Sequence, residues 1–480
     1  MSKVSSEEFN NLKNKGYSFP ICLEFKAKKL DPIDLFYNLE GKYKFILENR
    51  EFRLKNTRYS YMGVEPYKAI VLENHKVNII EDLSDERKQS EVKEDIFNVL
   101  KEHLNIKYLD LGEEIPFTGG AIGYMSYDFI KEIEHIEDKN KKDIGIPESI
   151  LLFYKTIVIY DHKENSLRLI YNVTPEDDLS LIEIENRLNQ LYGELNKKRE
   201  SIPLEAVSKD KNFKSNYEKE EYYELVKRAK DYIKSGDILQ VVLSQRFSIE
   251  TKSEPFQIYR KLRYINPSPY MFYIDFEEFN LIGASPENLV SQLNGTVITN
   301  PIAGTRRRGE MELEDKELEE SLLNDEKEIS EHTMLVDTGK MDIGRVSEEG
   351  SVKVDKLMQV ERYSHVMHLV SQVSGRVKEG IDCIDTLKAC FPAGTVSGAP
   401  KIRAMEIIAE LENVRREFYA GTVGYMSFNG NMDMAISIRT ILYKDGYAYI
   451  SAGGGIVQGS TPEFEYVETV NKAKATMEVI

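Results

Sequence analysis

Apolar residues in this chain of 480 come in short bursts, and no uninterrupted apolar run exceeds the five residues at 150–154 and 270–274. A membrane-crossing helix needs about 20 in a row, so that architecture is excluded. Short runs rich in Ile, Val, Tyr and Phe between polar turns are instead strand signals. They recur from about residue 18 to 172 as ICLEFKA, YKFILEN, YSYMGVE, YKAIVLEN, HKVNII, LLFYKTIVIYDH and SLRLIYNV. They return in the second half as ILQVVLSQRFSI, YMFYIDF, FNLIGASPE, NLVSQLNGTVI, SHVMHLVSQVSG, AGTVGYMSF, DMAISIRTILY and YAYISAGGGIV. Helical spacing and stop signals predict helices near residue 5, where Ser5 and Glu8 have capping-box spacing, and at 91–104, 179–197, 219–235 (ended by Gly236), 314–338, from Pro400, and near 462–478. Long strand runs with grouped helices point to an α+β fold. The stretch 197–216 is charged and poor in apolar residues, which reads as a linker between 1–196 and 217–480.

The formal net charge of −17 leaves no basic stripe for nucleic acid. A composition of 41% hydrophobic residues with 28 Tyr and 20 Phe is too apolar and aromatic for disorder. The first residues, MSKVSSEEFNNLKNKGYSF, lack a signal-peptide core, so a cytoplasmic location with no membrane partner is expected. Three cysteines without a CxxC exclude a disulfide framework, and no HExxH is present. Carboxylate dominates, and carboxylates suit hard cations such as Mg²⁺.

Two Glu-x-x-Glu pairs fall on predicted helices, Glu328/Glu331 and Glu465/Glu468. A spacing of three puts each pair on one helical face, where four converging carboxylates could hold Mg²⁺. In a chain with 81 acidic residues such pairs also arise by chance on solvated faces. His365 and His368 lie in a predicted strand and point to opposite faces, as core histidines or, for one of them, as a general acid or base. The glycine-rich turns TGGAIG, IAGT, PAGTVSGAP and AGGGIV allow close backbone approach to a ligand, or are simply turns. Arg439, read as part of a strand, is a carboxylate clamp or a sheet-edge residue.

A dozen ordered motifs carry more. ILENREFRLKNTRYSYMGVEP, PFTGGAIGYMSYD, GDILQVVLSQRF, NPSPYMFYI, GASPENLV, NPIAGTRRRG, DEKEISEHTMLVD, ERYSHVMHLVSQVSG, FPAGTVSGAPKIRAMEII, YAGTVGYMSF, AISIRT, AGGGIV and STPEFEYVETVNKA resemble the chorismate-utilising enzymes, and within them the anthranilate synthase component I (large subunit) family. The resemblance implies two antiparallel sheets packed around an active-site cleft with helices outside. It makes 217–480 the chorismate-binding catalytic region and 1–196 a regulatory region with part of a tryptophan pocket. Glu331 and Glu468 become direct Mg²⁺ ligands, with Glu328 and Glu465 acting through water. Tyr419 and Arg439 match positions that hold the enolpyruvyl carboxylate. Gly304, Thr305, Thr395, Gly453, Gly455 and Lys472 match other substrate contacts, Thr305 also counted with the catalytic residues. His368 matches the family's catalytic histidine, expected to act as general acid on the departing C4 hydroxyl.

The implied reaction adds ammonia to chorismate at C2 and then expels pyruvate to leave anthranilate, in tryptophan biosynthesis. Ammonia would come from a separate glutamine amidotransferase subunit (component II). Ala303 stands where aminodeoxychorismate synthases carry a nucleophilic lysine, and Gln240 where isochorismate and salicylate synthases carry a water-activating lysine. An aminodeoxychorismate synthase component I of the folate branch is the enzymatic alternative. A catalytically silent regulator binding aromatic metabolites is the non-enzymatic one. The tryptophan pocket of the family maps to Glu48 and Asn49, with Asn49 replacing a serine, and to Asn266, Pro267, Ser268, Pro269, Tyr270 and Met271.

Overall fold

The computed structural model describes residues 4–27, 30–50, 58–81, 83, 88–110, 112, 115–137, 139–200, 202–205, 211–362 and 366–480. His365 and part of two quoted motifs, at 51–57 and 363–365, lie outside the described residues.

Among the described residues the strands form two sheets of twelve, antiparallel in the pairings between named strands. Both sheets run across the 197–216 stretch. In the first, Phe45–Glu48 from the N-terminal half pairs with Tyr270–Asp275 from the C-terminal half. In the second, Gly120–Met125 pairs with Thr422–Ser427. The change of composition at 197–216 therefore does not separate two bodies in space.

The five-residue apolar runs are strands covered on both faces. In Tyr270–Asp275, Phe272 and Ile274 face the large core, while Met271 and Tyr273 face a second core with residues of helices Ser6–Asn14, Pro32–Asn38, Leu181–Leu195 and Pro255–Ile265. The period of two sends alternate side chains to opposite cores, so neither face carries a polar stripe. Helix Lys219–Ser235 ends at Gly236 in the left-handed region, φ +84°, and Ser5 accepts from the Glu8 N–H, as their sequence signals predict. The single helix expected at 314–338 is instead two, Glu312–Leu323 and Glu326–Gly344, because Asp325 caps the second by accepting from the Lys327 and Glu328 N–H groups.

Two crossovers between the sheets lie side by side. The chain leaves Phe279–Ser285 of the first sheet and enters Asn288–Leu293 of the second through Pro286 and Glu287. It returns from Met432–Ile436 to Thr440–Lys444 through Ser437, Ile438 and Arg439. Backbone bonds tie them together: Ile436 N to Glu287 O at 3.0 Å and Ala284 N to Arg439 O at 3.2 Å. Arg439 is thus in a turn with φ +53°, not in a strand as its sequence suggests.

Candidate active site

A cationic wall forms where the second crossover meets helix Pro462–Met477. Arg439 donates from Nη1 to the Lys472 carbonyl, and Lys472 Nζ donates to Gly453 O at 3.1 Å. Gly453 is required here: a Cβ would lie 2.7 Å from the Tyr419 hydroxyl. Tyr419, buried, is pushed up to about 12 by that burial and stays a neutral hydroxyl. Arg439 and Lys472 therefore present positive charge beside a phenol, a set suited to a carboxylate.

His368 and Thr305 are paired across strands Ile302–Arg307 and Val366–Arg376. His368 Nδ1 lies 2.9 Å from Gly304 O and 3.1 Å from Thr305 Oγ1. A carbonyl can only accept, so Nδ1 carries the proton. Burial, then the charges of Arg439 and Lys472, lower the imidazole's pKa against the bond to Gly304, so the ring is neutral at pH 7. Gly304, at φ +68° in a bulge, would bring a Cβ to 3.2 Å from Glu328 Oε2.

The four glutamates occupy two helices: Pro462–Met477 packs on the strand Tyr447–Ile456, and Glu326–Gly344 packs on Ile302–Arg307 and Val366–Arg376. Glu331 accepts from Gln240 Nε2 at 2.9 Å on the face shared by Gly453 and Gly455, the latter's Cβ position being 3.9 Å from Glu331 Oε1. Glu465 Oε2 lies against Gly454, whose Cβ would face the other way. Glu328 is paired with Arg306 at 3.2 Å and Glu468 with Lys472 at 2.6 Å. Among the described residues no three Asp, Glu, His or Cys are grouped closely enough to hold a metal ion. The donor set nevertheless fits a hard cation. Glu465 is 3% exposed, and its Oε2 has no hydrogen-bond partner. Burial, with Glu468 adding, pushes Glu465 up to about 7; burial, with Glu331 adding, also raises Glu328. Arg306 offsets only part of this at Glu328, and Glu465 has a serine, Ser460, but among the described residues no cation bonded to it, a state a cation relieves.

Three residues outside the expected metal-ligand and substrate-binding sets complete the site: Gln240, Arg306 and Glu287. Glu287, at the first crossover, is 8% exposed, and burial pushes its carboxyl up to about 7 despite Lys472 and Arg439. With Thr395 it lines a small cavity of about 40 Å³. Its signal was only the acid after the proline of GASPE; the burial comes from the crossover.

A second, larger cavity of about 890 Å³ lies between the sheets. Glu48, Asn49, Pro269, Tyr270 and Met271 line it with Tyr61, Tyr425 and Asp433, whereas Asn266, Pro267 and Ser268 do not. Glu48 is fully engaged: Arg263 binds it through Nε at 2.7 Å and Nη2 at 3.0 Å, and the Tyr259 hydroxyl donates at 2.7 Å. Burial alone would raise Glu48, but Arg263 and Tyr259 hold it below the usual carboxylate range. Asp433 is raised to about 6 by burial although Ser291, Tyr270 and Asn288 all donate to it.

A sequence model of the family described as chorismate binding enzyme matches residues 44–478. Anthranilate synthase component 1 of Aquifex aeolicus is 45% identical over 99% of this chain and 97% of its own length. That of Acetivibrio thermocellus is 43% identical over 100% and 97%. The crystal structure of anthranilate synthase component I from Streptococcus pneumoniae superposes with a TM-score of 0.80 at 40% identity, covering 94% of this chain and 99% of that one. The menaquinone-specific isochorismate synthase of Escherichia coli shares the fold at a TM-score of 0.72 and 18% identity.

Proposed function

The chain belongs to the chorismate binding enzyme family, among its anthranilate synthase component 1 members, and on that premise we propose that it converts chorismate and ammonia to anthranilate and pyruvate. The observation that supports this branch is what stands at positions 303 and 240. Ala303 can form no covalent adduct, and Gln240 is a neutral amide committed to Glu331 rather than a base for water. Ammonia attack is the chemistry left to such a cleft. The supply of ammonia by a glutamine amidotransferase subunit, the place in tryptophan biosynthesis and a cytoplasmic location belong to the same proposal. No described helix is long and apolar enough to cross a membrane.

Mg²⁺ would be held by Glu331 and Glu468, with Glu328 and Glu465 in support, and when bound it supplies charge stabilisation for a substrate carboxylate. Arg439, Lys472 and Tyr419 hold the second carboxylate. In the first step the carbon–nitrogen bond forms at C2, the ring double bonds shift, and the C4–oxygen bond breaks. The leaving hydroxyl needs a proton. His368 is poorly suited to give it, being neutral with its Nδ1 proton committed to Gly304. Glu287, protonated up to about pH 7, is the better acid, and it releases the hydroxyl as water. In the second step a base takes the C2 proton while the C3–oxygen bond breaks and pyruvate departs. Neutral His368 fits that role.

The large cavity is the proposed tryptophan site. Its aromatic lining suits an indole, and Asp433, whose donors Ser291, Tyr270 and Asn288 are neutral, rather than Glu48 with its Arg263 clamp, is the acid that would face the ammonium.

The test is to incubate the purified chain with chorismate, Mg²⁺ and ammonium and to follow anthranilate fluorescence and pyruvate. Formation of both, abolished by EDTA, supports the proposal. Accumulated aminodeoxychorismate moves the chain to the folate branch, and no turnover, with or without a glutaminase, favours a silent binder.

A further inference from the structure

We infer that Arg306 and Lys472 are displaceable counter-ions of the cleft carboxylates, so that a divalent cation entering the cleft frees the Lys472 ammonium for an anionic substrate. The inference rests on the metal-dependent reading proposed above. Three of the four glutamates already have a donor from another part of the chain or one turn along their own helix: Glu328 has Arg306, Glu331 has Gln240 and Glu468 has Lys472. Only one oxygen of the set, Glu465 Oε2, is buried and unpartnered. The resident partners explain why the carboxylates sit as separate pairs rather than around one point.

Both cations have a second anchor that survives when the carboxylate leaves. Arg306 forks, its other nitrogen binding Asp325 at 2.7 Å. Lys472 also donates to Gly453 O at 3.1 Å. The pairs are partly solvent-exposed, with side chains 36% and 31% exposed for Lys472 and Glu468. Solvent screens such pairs and keeps them weak, so a dication coordinated by several carboxylates outcompetes them. Lys472 released from Glu468 remains beside Arg439 and Tyr419 with its charge no longer neutralised. The cationic wall then attracts a substrate carboxylate more strongly. Linkage makes this reciprocal: whatever the cation does for the anion, the anion does for the cation.

The probe is Mn²⁺, counted by the electron paramagnetic resonance of the free ion as it is titrated into metal-free full-length chain, with and without chorismate. Wild type is compared with Lys472→Met, Arg306→Met and Lys474→Met, the last removing the same charge from an exposed position on the same helix. Without chorismate, Lys472→Met and Arg306→Met are expected to bind Mn²⁺ about two- to fivefold more tightly than wild type, the range of a weak ion pair lost, and Lys474→Met within about 1.5-fold. Chorismate is expected to tighten Mn²⁺ binding to wild type but not to Lys472→Met. The inference is overturned if Lys472→Met binds Mn²⁺ no more tightly than Lys474→Met. If wild type and Glu331→Gln show the same absence of binding even with chorismate, the metal-dependent reading itself falls, and the inference with it.

Discussion

Glu48 and Glu465 are equally buried, 4% and 3% exposed, yet the molecule treats them in opposite ways. Glu48, in the wall of the large cavity, receives a two-nitrogen clamp from Arg263 and a tyrosine hydroxyl, and its carboxyl is held below the usual range. Glu465, at the cleft, keeps an unpartnered oxygen and is pushed up to about 7. A buried charge costs several kcal/mol unless it is compensated, so the first is a finished structural element and the second is a group held at a cost. Strain of this kind persists where something binds. The comparison separates an acid that builds a pocket wall from an acid that waits for a ligand.

The largest effect should come from neutralising the waiting set. Glu331→Gln or Glu465→Gln is expected to lower the rate of chorismate consumption by about 10³-fold, roughly 4 kcal/mol of transition-state stabilisation. Glu48→Gln should leave turnover per folded molecule within about threefold, a change worth less than 1 kcal/mol. Initial rates at saturating Mg²⁺ and ammonium check this. Equal losses in Glu48→Gln and Glu465→Gln would break the comparison.

Stability should reverse the order. Glu48→Gln strips the two-nitrogen partner from half-buried Arg263 and leaves it Asp31 at 3.8 Å, and removing one partner of a buried pair costs about 3–5 kcal/mol in urea unfolding. Glu465→Gln in metal-free protein should cost nothing and raise the midpoint, since it replaces an uncompensated acid by a neutral amide of the same shape.

Much of this frame was legible in the sequence. The strand runs could be read because burial on both faces makes them continuously apolar, and helix ends such as Ser5 and Gly236 carry their own local chemistry. The four glutamates were visible as two helical pairs, and the helix N-caps Asp325 and Thr461 set their positions. What local pattern does not carry is the crossover. ISIRT alternates like a strand, but the chain changes sheets there, and only tertiary contact holds Arg439 at φ +53°. Glu287 looked like one acid among 81, because its burial is produced by a neighbouring crossover some 150 residues away. The Gln240–Glu331 and Arg306–Glu328 contacts join separate elements, and Glu48 looked like a ligand-binding group because Arg263 lies 215 residues on.

The same contrast has a pH signature. Glu465 and Glu287 have folded-state pKa values of about 7, above those of the unfolded chain, so between about pH 4.5 and 7 the folded state binds more protons. The contribution of these two groups to the stability of the metal-free protein therefore falls as pH rises through that window, whereas the buried histidines, His332 above all, contribute with the opposite sign. Glu48 acts oppositely: its folded pKa is depressed, so its contribution is present above the unfolded value and is lost only as pH falls below it. The urea midpoint of wild type, taken relative to that of Glu465→Gln, should fall from about pH 4.5 to 7.5. Saturating Mg²⁺ should flatten the part due to Glu465 and leave that of Glu287. A slope unchanged by both would mean that Glu465 is compensated in solution.

The smallest effect tests how completely Glu48 is satisfied. Tyr259, fully buried, donates its hydroxyl to Glu48 at 2.7 Å, whereas Ser60 donates at 3.2 Å and also contacts His162 Nε2 at 2.8 Å. A hydrogen bond to a buried charge is worth about 1.5–3 kcal/mol, so Tyr259→Phe should lower stability by that amount. Ser60→Ala, giving up a longer and shared bond, should cost about 1 kcal/mol or less. The informative measurement is the cycle with Glu48→Gln. Once the carboxylate is neutral, the Tyr259 hydroxyl has lost its charged acceptor, and Tyr259→Phe in that background should cost about 1–2 kcal/mol less than in wild type. Additive costs would mean that the Tyr259 hydroxyl is worth the same beside a neutral amide as beside the carboxylate, and that Arg263 by itself sets the charge of Glu48.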